Sequence, residues 1–242
     1  MTDKPVAIVT GGARGIGAAC CHALSQEGFR IGISDLPSSA EAAHTLAEIG
    51  DGFLLPVDLA DTDQVEKMLT SLKDLTNRVD VLVNNVGLSV NADINSMKME
   101  QFDLQRALMR GTWYLTKRII RLFMLRRSSG RIINISSVVG HTGNAGQIPY
   151  AMEKAAMDAF TKSLSKELKG RNILVNSVAP GFIDTGMTKV LPEEVKAQIL
   201  ANVTLERMGL PHEVAEVVAF LATKGNYITG SVVHVNGGLY GG

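Results

Sequence analysis

Short apolar runs alternate along the chain with longer segments of helical periodicity. Seven runs have the length of strands and are apolar on both faces; they are VAIVT (6–10), RIGISD (30–35), FLLPVD (53–58), VDVLVNN (79–85), RIINIS (131–136), ILVNSVAP (173–180) and VVHVNG (232–237). Helical patterns lie between them, at 15–27, 38–49, 62–76, about 99–127, 149–169 and 211–223. The alternation predicts an α/β fold of the Rossmann type, with a doubly wound, seven-stranded parallel sheet and helices on both faces.

The alternation continues without a linker, a repeat or a low-complexity segment. We therefore expect residues 1–242 to form a single domain. The least regular stretch, 180–211, follows the sixth strand. We expect it to be an insertion that covers the substrate at the carboxyl edge of the sheet, where ligands bind in such folds.

Composition and charge exclude several classes of function. The chain is 45% hydrophobic and 20% charged, and its 24 basic and 24 acidic residues give a formal net charge of zero. A neutral chain is not typical of proteins that bind nucleic acid or a membrane surface, so we expect neither partner. The start, MTDKPVAIVTGG, does not resemble a secretory signal, and no apolar run reaches the length of a membrane span. Cys20 and Cys21 are adjacent and show no ligand spacing, which predicts no disulfide, no metal site and a cytoplasmic location.

A glycine-rich turn between the first strand and the first helix predicts a phosphate site. The segment TGGARGIG occupies positions 10–17. Gly11 permits the tight turn, Gly15 lets a pyrophosphate approach the backbone, and Gly17 lets the helix pack closely on the strand. Free N–H groups at the start of the helix attract the phosphates. The alternative is a strand-to-helix turn that binds no ligand.

Asp35 ends the second strand, 18 positions after Gly17. A carboxylate there accepts hydrogen bonds from both hydroxyls of the adenosine ribose, which favours NAD(H). It repels a 2′-phosphate at about 4 Å by roughly 4 kcal/mol at an effective dielectric near 20. Arg14 borders the same pocket and attracts that phosphate, although an exposed side chain contributes little. We predict NAD(H) as the favoured cofactor and keep NADP(H) as the alternative.

Tyr150 and Lys154 lie four positions apart in IPYAMEK (148–154), at the start of a predicted helix. Positions i and i+4 share one face of a helix, so both side chains reach one target. A Tyr-x-x-x-Lys pair also occurs often by chance. Its alternative interpretation is a half-buried tyrosine at the edge of a surface helix, and other parts of the chain must decide.

Taken in order, TGGARGIG, NNVG (84–87) and YAMEK resemble the motifs of the short-chain dehydrogenase/reductase family, and the resemblance covers essentially the whole chain. The family's Asn-Asn-Ala-Gly motif occurs here with valine in its third position. The family's catalytic serine, 13 residues before the tyrosine, corresponds to Ser137, with Ser136 as the neighbouring alternative. Within the family, the segments GRIINISSVVGHTGNAGQIPYA, VNSVAPGFIDTGMT and YITGSVVHVNGG are most similar to bacterial 3-oxoacyl-[acyl-carrier-protein] reductases.

The resemblance implies an oxidoreductase that transfers a hydride between a nicotinamide cofactor and a ketone or secondary alcohol. It implies that Tyr150 exchanges the proton, and that Lys154 and the positive nicotinamide ring together lower the pKa of Tyr150. It also implies that Lys154 holds the nicotinamide ribose and that Ser137 holds the substrate oxygen. The cofactor-binding residues that we predict are Gly11, Arg14, Gly15, Ile16, Gly17, Asp35, Asp58, Leu59, Asn85, Gly87, Tyr150, Lys154, Pro180, Gly181, Ile183 and Thr185.

One position departs from the family pattern. The family usually has an asparagine in the helix after the fourth strand, where it supports a water chain that leads to the lysine. By the family's spacing, the position of this asparagine is Met109 when counted forward from Phe102, and Leu108 when counted back from GTWYLT. Neither is asparagine, so we expect the proton relay either to use other groups or to run poorly, with activity that is reduced or rerouted rather than lost. The alternative is a cofactor-binding subunit that has lost turnover.

The sequence leaves the substrate open. The narrower resemblance favours a 3-oxoacyl or 3-hydroxyacyl thioester. The alternative is an NAD-dependent catabolic dehydrogenase of a sugar or small cyclic alcohol, which Asp35 favours. Three residues of the loop before Tyr150 either contact the substrate or are solvated; they are His141, Asn144 and Gln147.

Partners are predicted from the resemblance and from surface patterns. A group of basic residues forms either a docking patch for an acidic acyl carrier protein or ordinary solvated helix ends; its members are Arg126, Arg127, Lys169 and Arg171. Helix 149–169 carries alanines on one face, which permits close packing against another subunit. The family implies a homotetramer in which this helix and 99–127 form one seam.

Overall fold

The structure, a computed structural model, describes residues 4–189 and 191–241. Within these residues, seven parallel strands form one sheet in the order β3-β2-β1-β4-β5-β6-β7. The strands are β1 (Val6–Thr10), β2 (Arg30–Asp35), β3 (Gly52–Pro56), β4 (Val81–Asn84), β5 (Gly130–Ile135), β6 (Ile173–Pro180) and β7 (Val232–Val235). This arrangement confirms the predicted doubly wound α/β fold.

Helices cover both faces of the sheet. They are α1 (Gly15–Gln26), α2 (Glu41–Ile49), α3 (Thr62–Leu75), α4 (Met99–Ile119), α5 (Val139–Thr142), α6 (Ile148–Glu167), α7 (Gly186–Lys189), α8 (Glu193–Leu200) and α9 (Pro211–Thr223). A π-helical turn, Ile120–Met124, extends α4 and accounts for most of its longer predicted span. We did not predict α5, α7 or α8, because helices of four to eight residues are too short to show a clear period.

The two faces of the sheet each carry a hydrophobic core. Side chains alternate along β1, so that Val6 and Ile8 enter one core while Ala7 and Val9 enter the other. The first core packs against α3 and α4, and the second packs against α1 and α9. Burial on both faces explains why the strands have apolar runs rather than an alternating pattern.

The strand order places the candidate residues at one crevice. The chain builds β1, β2 and β3 on one side and then returns to add β4 on the other side of β1. The segments that follow β1 and β4 therefore diverge at the carboxyl edge of the sheet, and ligands bind at such a switch point. The glycine turn follows β1, and Asn85 and Gly87 follow β4.

The stretch 180–211 lies over this edge and contains α7 and α8. It returns to the sheet through a short bridge, in which Gly209 N donates to Phe182 O at 2.9 Å and Asp184 N donates to Gly209 O at 2.8 Å. Position 190 of this stretch lies outside the described residues. Among the helices described, none has both the length and the apolar character that crossing a membrane requires.

Candidate active site

The glycine turn connects β1 directly to α1, as the spacing predicts. Gly11 and Gly15 have φ angles of 63° and 57°, a left-handed conformation that favours glycine. A Cβ on Gly17 would lie 1.9 Å from Gly11 O, so only glycine permits this close approach of helix to turn. Arg14 at the N-cap makes no capping hydrogen bond, and the first turn of α1 carries no acidic residue. The N–H groups at the start of α1 are therefore available to an anion.

Asn85 braces the glycine turn from the neighbouring strand. Its Nδ2 donates to Thr10 O at 3.0 Å and to Gly11 O at 3.1 Å. Thr10 Oγ1 in turn accepts from the backbone N–H groups of Asn85 and Val86, at 2.9 and 3.2 Å. Asn85 thus fixes the shape of the turn through its side chain. Gly87 lies two residues further on, where a Cβ would come within 3.0 Å of Lys154 Nζ.

Asp35 lies beside the same turn and is held there by the backbone. Its Oδ2 accepts from Ala13 N at 3.0 Å, and its Oδ1 accepts from Leu36 N at 2.9 Å. Each oxygen keeps a further lone pair for a ribose hydroxyl. Arg14 is exposed, as expected, and Ile16 is partly buried against the second core.

Asp58 and Leu59 follow β3, the strand next to β2. Asp58 Oδ1 accepts from Ala60 N at 2.9 Å, which fixes the carboxylate in a tight local turn. Leu59 is 3% exposed and its side chain belongs to the first core. A bound adenine would therefore contact the main chain of Leu59 and not its side chain.

The loop after β6 closes the crevice from the opposite side. A Cβ on Gly181 would lie 2.6 Å from Asn236 Cβ, so glycine is required where the loop passes the segment after β7. Pro180 O accepts from Val138 N at 2.9 Å, which ties this loop to the segment after β5. Ile183 is buried, and Thr185 Cγ2 would be 3.7 Å from a Cβ on Gly15. The loop therefore faces the glycine turn across the crevice.

Ser136 and Ser137 follow β5 but differ in orientation. Ser136 Oγ donates to Val178 O, 3.4 Å away on the neighbouring strand, and is buried. Ser137 Oγ accepts from Val139 N at 3.2 Å and interacts with the phenol of Tyr150. Of the two candidates, Ser137 is the one that the fold brings to the tyrosine.

Tyr150 and Lys154 lie on one face of α6, which begins at Ile148. Lys154 Nζ lies 5.6 Å from the centre of the Tyr150 ring and donates to Ile135 O at 2.7 Å. Lys154 is only 6% exposed, so its ammonium is held at the end of β5. The serine, the tyrosine and the lysine thus meet at the carboxyl edge, next to the glycine turn.

The ionisation of this group differs in part from the expectation. Burial raises the pKa of Tyr150 above its usual 10.0, and the interaction with Ser137 opposes this only partly. Burial lowers the pKa of Lys154 from 10.5 to about 8, although Asp158 and Glu153 favour its charged form. In the protein alone, burial therefore raises the pKa of Tyr150, and the phenol is neutral near pH 7. The lowering was expected from Lys154 together with the positive nicotinamide ring, and it stays a prediction for the protein with its cofactor.

Comparisons with known proteins agree with this geometry. A family model described as enoyl-(acyl carrier protein) reductase matches residues 11–240. The 3-oxoacyl-[acyl-carrier-protein] reductase FabG of Haemophilus influenzae is 45% identical over 239 residues, covering 97% of this chain and 98% of the relative. The proteins of the same name from Vibrio cholerae and Thermotoga maritima are 42% and 39% identical, each covering 98% of both chains.

The chain belongs to the short-chain dehydrogenase/reductase family.

It is therefore an oxidoreductase that uses a nicotinamide cofactor. The residues present fit that group. The uncapped start of α1 and the turn that only glycine permits suit a pyrophosphate, and the spare lone pairs of Asp35 suit a ribose.

The family's usual asparagine is absent from the structure of α4, as the sequence indicated. Leu108 and Met109, the two positions reached by counting, both line a cavity beside Lys154. Both are apolar, so neither supplies the amide. Gln105 and Glu153 line the same cavity, and we did not single them out from the sequence. The only available signal was a polar residue one turn before the expected position.

The rim of the site is built from two loops. Gln147 Nε2 donates to Ser89 Oγ at 2.7 Å and to Asn91 Oδ1 at 3.1 Å, while Asn144 Nδ2 donates to Gln147 Oε1 at 2.7 Å. Asn144 and Gln147 therefore join the loop before α6 to the loop after β4. His141 points elsewhere: its Nε2 lies 2.9 Å from Asp158 Oδ2, and its ring packs on Tyr240. His141 is thus neither a solvated loop residue nor part of this loop contact.

The basic residues lie at the opposite edge of the sheet. Arg126 and Arg127 precede β5, and Lys169 and Arg171 precede β6, whereas the site lies where these strands end. The six residues of β5 separate the two edges by about 20 Å at 3.3 Å per residue. Arg127 also pairs with Asp80 at 2.7 Å. This placement favours solvated helix ends over a docking patch beside the pocket.

A chain of buried polar side chains holds the elements around the site together. Asn84 Nδ2 donates to Thr116 Oγ1 at 2.9 Å and to Asn134 Oδ1 at 2.8 Å. Asn134 Nδ2 donates to Thr161 Oγ1 at 2.7 Å, and Thr161 Oγ1 lies 2.7 Å from Ser177 Oγ. This chain links β4, β5 and β6 to α4 and α6. We did not assign these roles from the sequence, where the only sign was a polar residue inside each apolar strand.

No group of three or more histidine, cysteine, aspartate or glutamate residues in 4–189 and 191–241 is arranged to hold a metal ion. Cys20 and Cys21 are buried free thiols in α1. Burial raises the pKa of Cys20 to about 12. Cys21 Sγ donates to Gly12 O at 3.7 Å, so this thiol packs against the glycine turn.

Proposed function

We propose that the protein reduces the ketone of a 3-oxoacyl thioester to the 3-hydroxyacyl thioester, with Ser137, Tyr150 and Lys154 as its catalytic residues. The support is the meeting of these three side chains at the carboxyl edge, together with relatives at 39–45% identity that are named 3-oxoacyl-[acyl-carrier-protein] reductases. The observation that carries the assignment is the placement of Tyr150 and Lys154 on one face of α6, with Lys154 Nζ 5.6 Å from the centre of the Tyr150 ring and 2.7 Å from Ile135 O.

The chain's own groups supply the proton and the orientation. The bound nicotinamide supplies the hydride. Ser137 holds the carbonyl oxygen and stabilises the negative charge that develops on it. A phenol of ordinary pKa is already neutral at pH 7. Burial raises the pKa of Tyr150 further, so its proton is available for that oxygen. Lys154 keeps a positive charge next to the phenol, which stabilises the phenolate that remains after the proton has left.

The protonation state of Tyr150 in the protein alone suits the proton-donating step of the proposed reduction. Reduction needs a phenol that donates a proton, whereas oxidation needs a phenolate that accepts one. A pKa above 10.0 makes the phenolate scarce at neutral pH. Oxidation therefore becomes efficient only at higher pH, or when a bound cofactor lowers that pKa.

For the cofactor we propose NAD(H), with NADP(H) as the alternative. The support is Asp35, whose carboxylate is fixed by two backbone N–H groups and does not swing away from a 2′-phosphate without losing them. Leu36 and Pro37 follow without a positive charge that would offset it. Arg14 is the opposing feature, because it is exposed next to the turn and has no ion pair among the described residues.

Asp35 also supports a second candidate, an NAD-dependent dehydrogenase of a sugar or small cyclic alcohol. The apolar residues at the expected relay positions support a third, a cofactor-binding subunit with weak turnover. The family model that matches the chain is described as an enoyl-(acyl carrier protein) reductase, which adds an enoyl thioester as a substrate to be tested. These candidates differ in the bond that reacts, so a substrate panel separates them.

The panel contains acetoacetyl and crotonyl thioesters, a cyclic ketone and alcohol, and a sugar, each with both nicotinamide cofactors. We expect turnover of the acetoacetyl thioester with NADH and at least tenfold less with the other substrates. Turnover of the crotonyl thioester alone would assign a different reaction. Preference for the sugar or the cyclic alcohol would favour the catabolic candidate. Cofactor binding by calorimetry without any turnover would favour the inactive subunit.

We further propose a homotetramer and an acyl carrier protein as the partner that presents the substrate. Large apolar side chains are exposed on α4 and α6, which supports burial between subunits: Leu104, Trp113, Ile148 and Met152. Light scattering of the purified protein tests the assembly. A carrier-linked substrate that reacts faster than the same acyl group on coenzyme A would support the carrier.

A further inference from the structure

A cavity lies between α4 and α6, next to the ammonium of Lys154. Leu108, Met109, Gln105 and Glu153 are among its lining residues, together with Tyr150. The volume of the cavity is about 30 Å³. On the same measure, about 10–15 Å³ is enough to hold one water molecule. The cavity is therefore large enough for one or two water molecules in contact with the lysine.

Gln105 places an unpartnered amide on this cavity. It is 3% exposed, and neither its nitrogen nor its oxygen has a hydrogen-bond partner in the described part of the chain. A buried amide without a partner is unfavourable unless water satisfies it. Gln105 lies three and four positions before Leu108 and Met109, so it occupies the same face of α4 one turn earlier. Its longer side chain offers the amide that those positions lack.

Glu153 connects the cavity to the surface from α6. Glu153 is 9% exposed, and its Oε2 has no hydrogen-bond partner among residues 4–189 and 191–241. Its Oε1 lies 3.5 Å from Nη1 of Arg106, whose side chain is 58% exposed. Burial raises the pKa of Glu153, and the positive charges of Arg106 on α4 and Lys154 on α6 offset this rise only in part. Asp158 is the further acidic group whose charge acts on Lys154.

We propose that Gln105 and Glu153 hold water in this cavity and pass protons between Lys154 and the solvent, in place of the asparagine that the family usually carries. The inference rests on the proposed reduction. After Tyr150 has given its proton to the substrate, Lys154 releases one N–H proton towards the phenolate. The Glu153 carboxylate takes up a proton from solvent beside Arg106 and passes it to water in the cavity, and the water passes a proton to the amine. Each group ends as it began, and one proton has entered from solvent.

The kinetic test replaces the amide by an apolar group of similar shape. For Gln105→Met we expect kcat to fall about tenfold with the KM for the cofactor unchanged, and the solvent deuterium isotope effect on kcat to increase. Glu153→Gln should lower kcat and remove the dependence of kcat on the ionisation of Glu153. Gln26→Met, on the exposed end of α1, makes the same chemical change away from the site and should leave kcat unchanged.

A rescue experiment separates a relay from a purely structural role. Adding Leu108→Asn or Met109→Asn to Gln105→Met returns an amide to the cavity, and one of the two double variants should recover kcat to within about threefold of the original. If Gln105→Met keeps the original kcat and isotope effect, or if neither asparagine restores them, the proposal is wrong.

A measurement on the free protein keeps this inference distinct from the proposed reaction. Nuclear Overhauser contacts between bound water and the side-chain amide protons of Gln105 should be present without cofactor. The pKa of Lys154, followed through its 15Nζ resonance, should fall further in Glu153→Gln, because one favourable negative charge is lost. Absence of the water contacts, or a lysine titration that does not change, overturns the relay even when the enzyme is active. A positive result with no turnover on any substrate would overturn the proposed function and leave the cavity assignment intact.

Discussion

Replacing Asp35 by asparagine removes one negative charge at the carboxyl end of β2 and should shift the cofactor preference towards NADP(H). The carboxylate is fixed by the N–H groups of Ala13 and Leu36, at 3.0 and 2.9 Å. A phosphate bound at the ribose 2′ position therefore meets a charge that does not move away. The asparagine loses part of this backbone support, but that loss affects both cofactors equally and cancels in the ratio of their affinities.

The size of the shift follows from the position of Asp35. Two unit charges about 4 Å apart repel by about 1 kcal/mol in bulk water and about 4 kcal/mol at an effective dielectric near 20. Asp35 is partly exposed, so an intermediate value of about 2 kcal/mol applies. This corresponds to roughly a thirtyfold change in the ratio of dissociation constants for NADPH and NADH.

The assay is a titration of both reduced cofactors, followed by nicotinamide fluorescence at an ionic strength of about 0.1 M. Glu27→Gln is the matched control, because it removes the same charge beyond the far end of α1. The 12 residues of that helix span about 18 Å, further than the Debye length of about 10 Å. An unchanged ratio in Asp35→Asn, or an original protein that already binds NADPH more tightly, would refute the argument for NAD(H).

Three further predictions concern the turn, the serines and the lysine. Gly17→Ala places a Cβ 1.9 Å from Gly11 O, so the turn must open and NADH affinity should fall at least tenfold in the same titration. Ser137→Ala should lower kcat about a hundredfold, whereas Ser136→Ala should change it less than threefold; equal effects would contradict the assignment. Because burial lowers the pKa of Lys154 to about 8, the folded state binds this proton less tightly than the unfolded state. The difference lowers the free energy of unfolding by its full amount below about pH 8, and this cost disappears as the pH rises to about 10.5. Removing this cost is worth about 3 kcal/mol at pH 7, and losing the hydrogen bond to Ile135 O costs about 1–2 kcal/mol. Lys154→Met should therefore raise the free energy of unfolding by about 1–2 kcal/mol at pH 7, and urea denaturation that shows the same gain at pH 10 would exclude this explanation.

The sequence was most informative where both faces of an element are buried. The bounds of β1, β2, β6 and α9 were predicted to the residue, because apolar runs bounded by Gly, Pro or Asp leave little freedom. The position of the site followed from the same pattern, since segments after parallel strands meet at one edge. The edge on which the basic residues lie also follows from topology, because those residues precede their strands.

Other features depend on contacts that no local pattern encodes. His141 faces Asp158 only because α5 packs on α6. The sign of the Tyr150 pKa shift depends on whether burial outweighs neighbouring groups, and that balance exists only in the folded chain. Likewise, Gln105 and Glu153 are 48 positions apart and meet at one cavity only through the packing of α4 against α6.

The most direct test of a proton-donating phenol at this site is Tyr150→Phe, assayed with an acetoacetyl thioester and NADH. The change removes the hydroxyl and keeps the ring, so NADH should bind with nearly unchanged affinity. Loss of a positioned acid should lower kcat by about 10²–10⁴-fold. A variant that binds NADH and turns over at more than a tenth of the original rate would contradict the account.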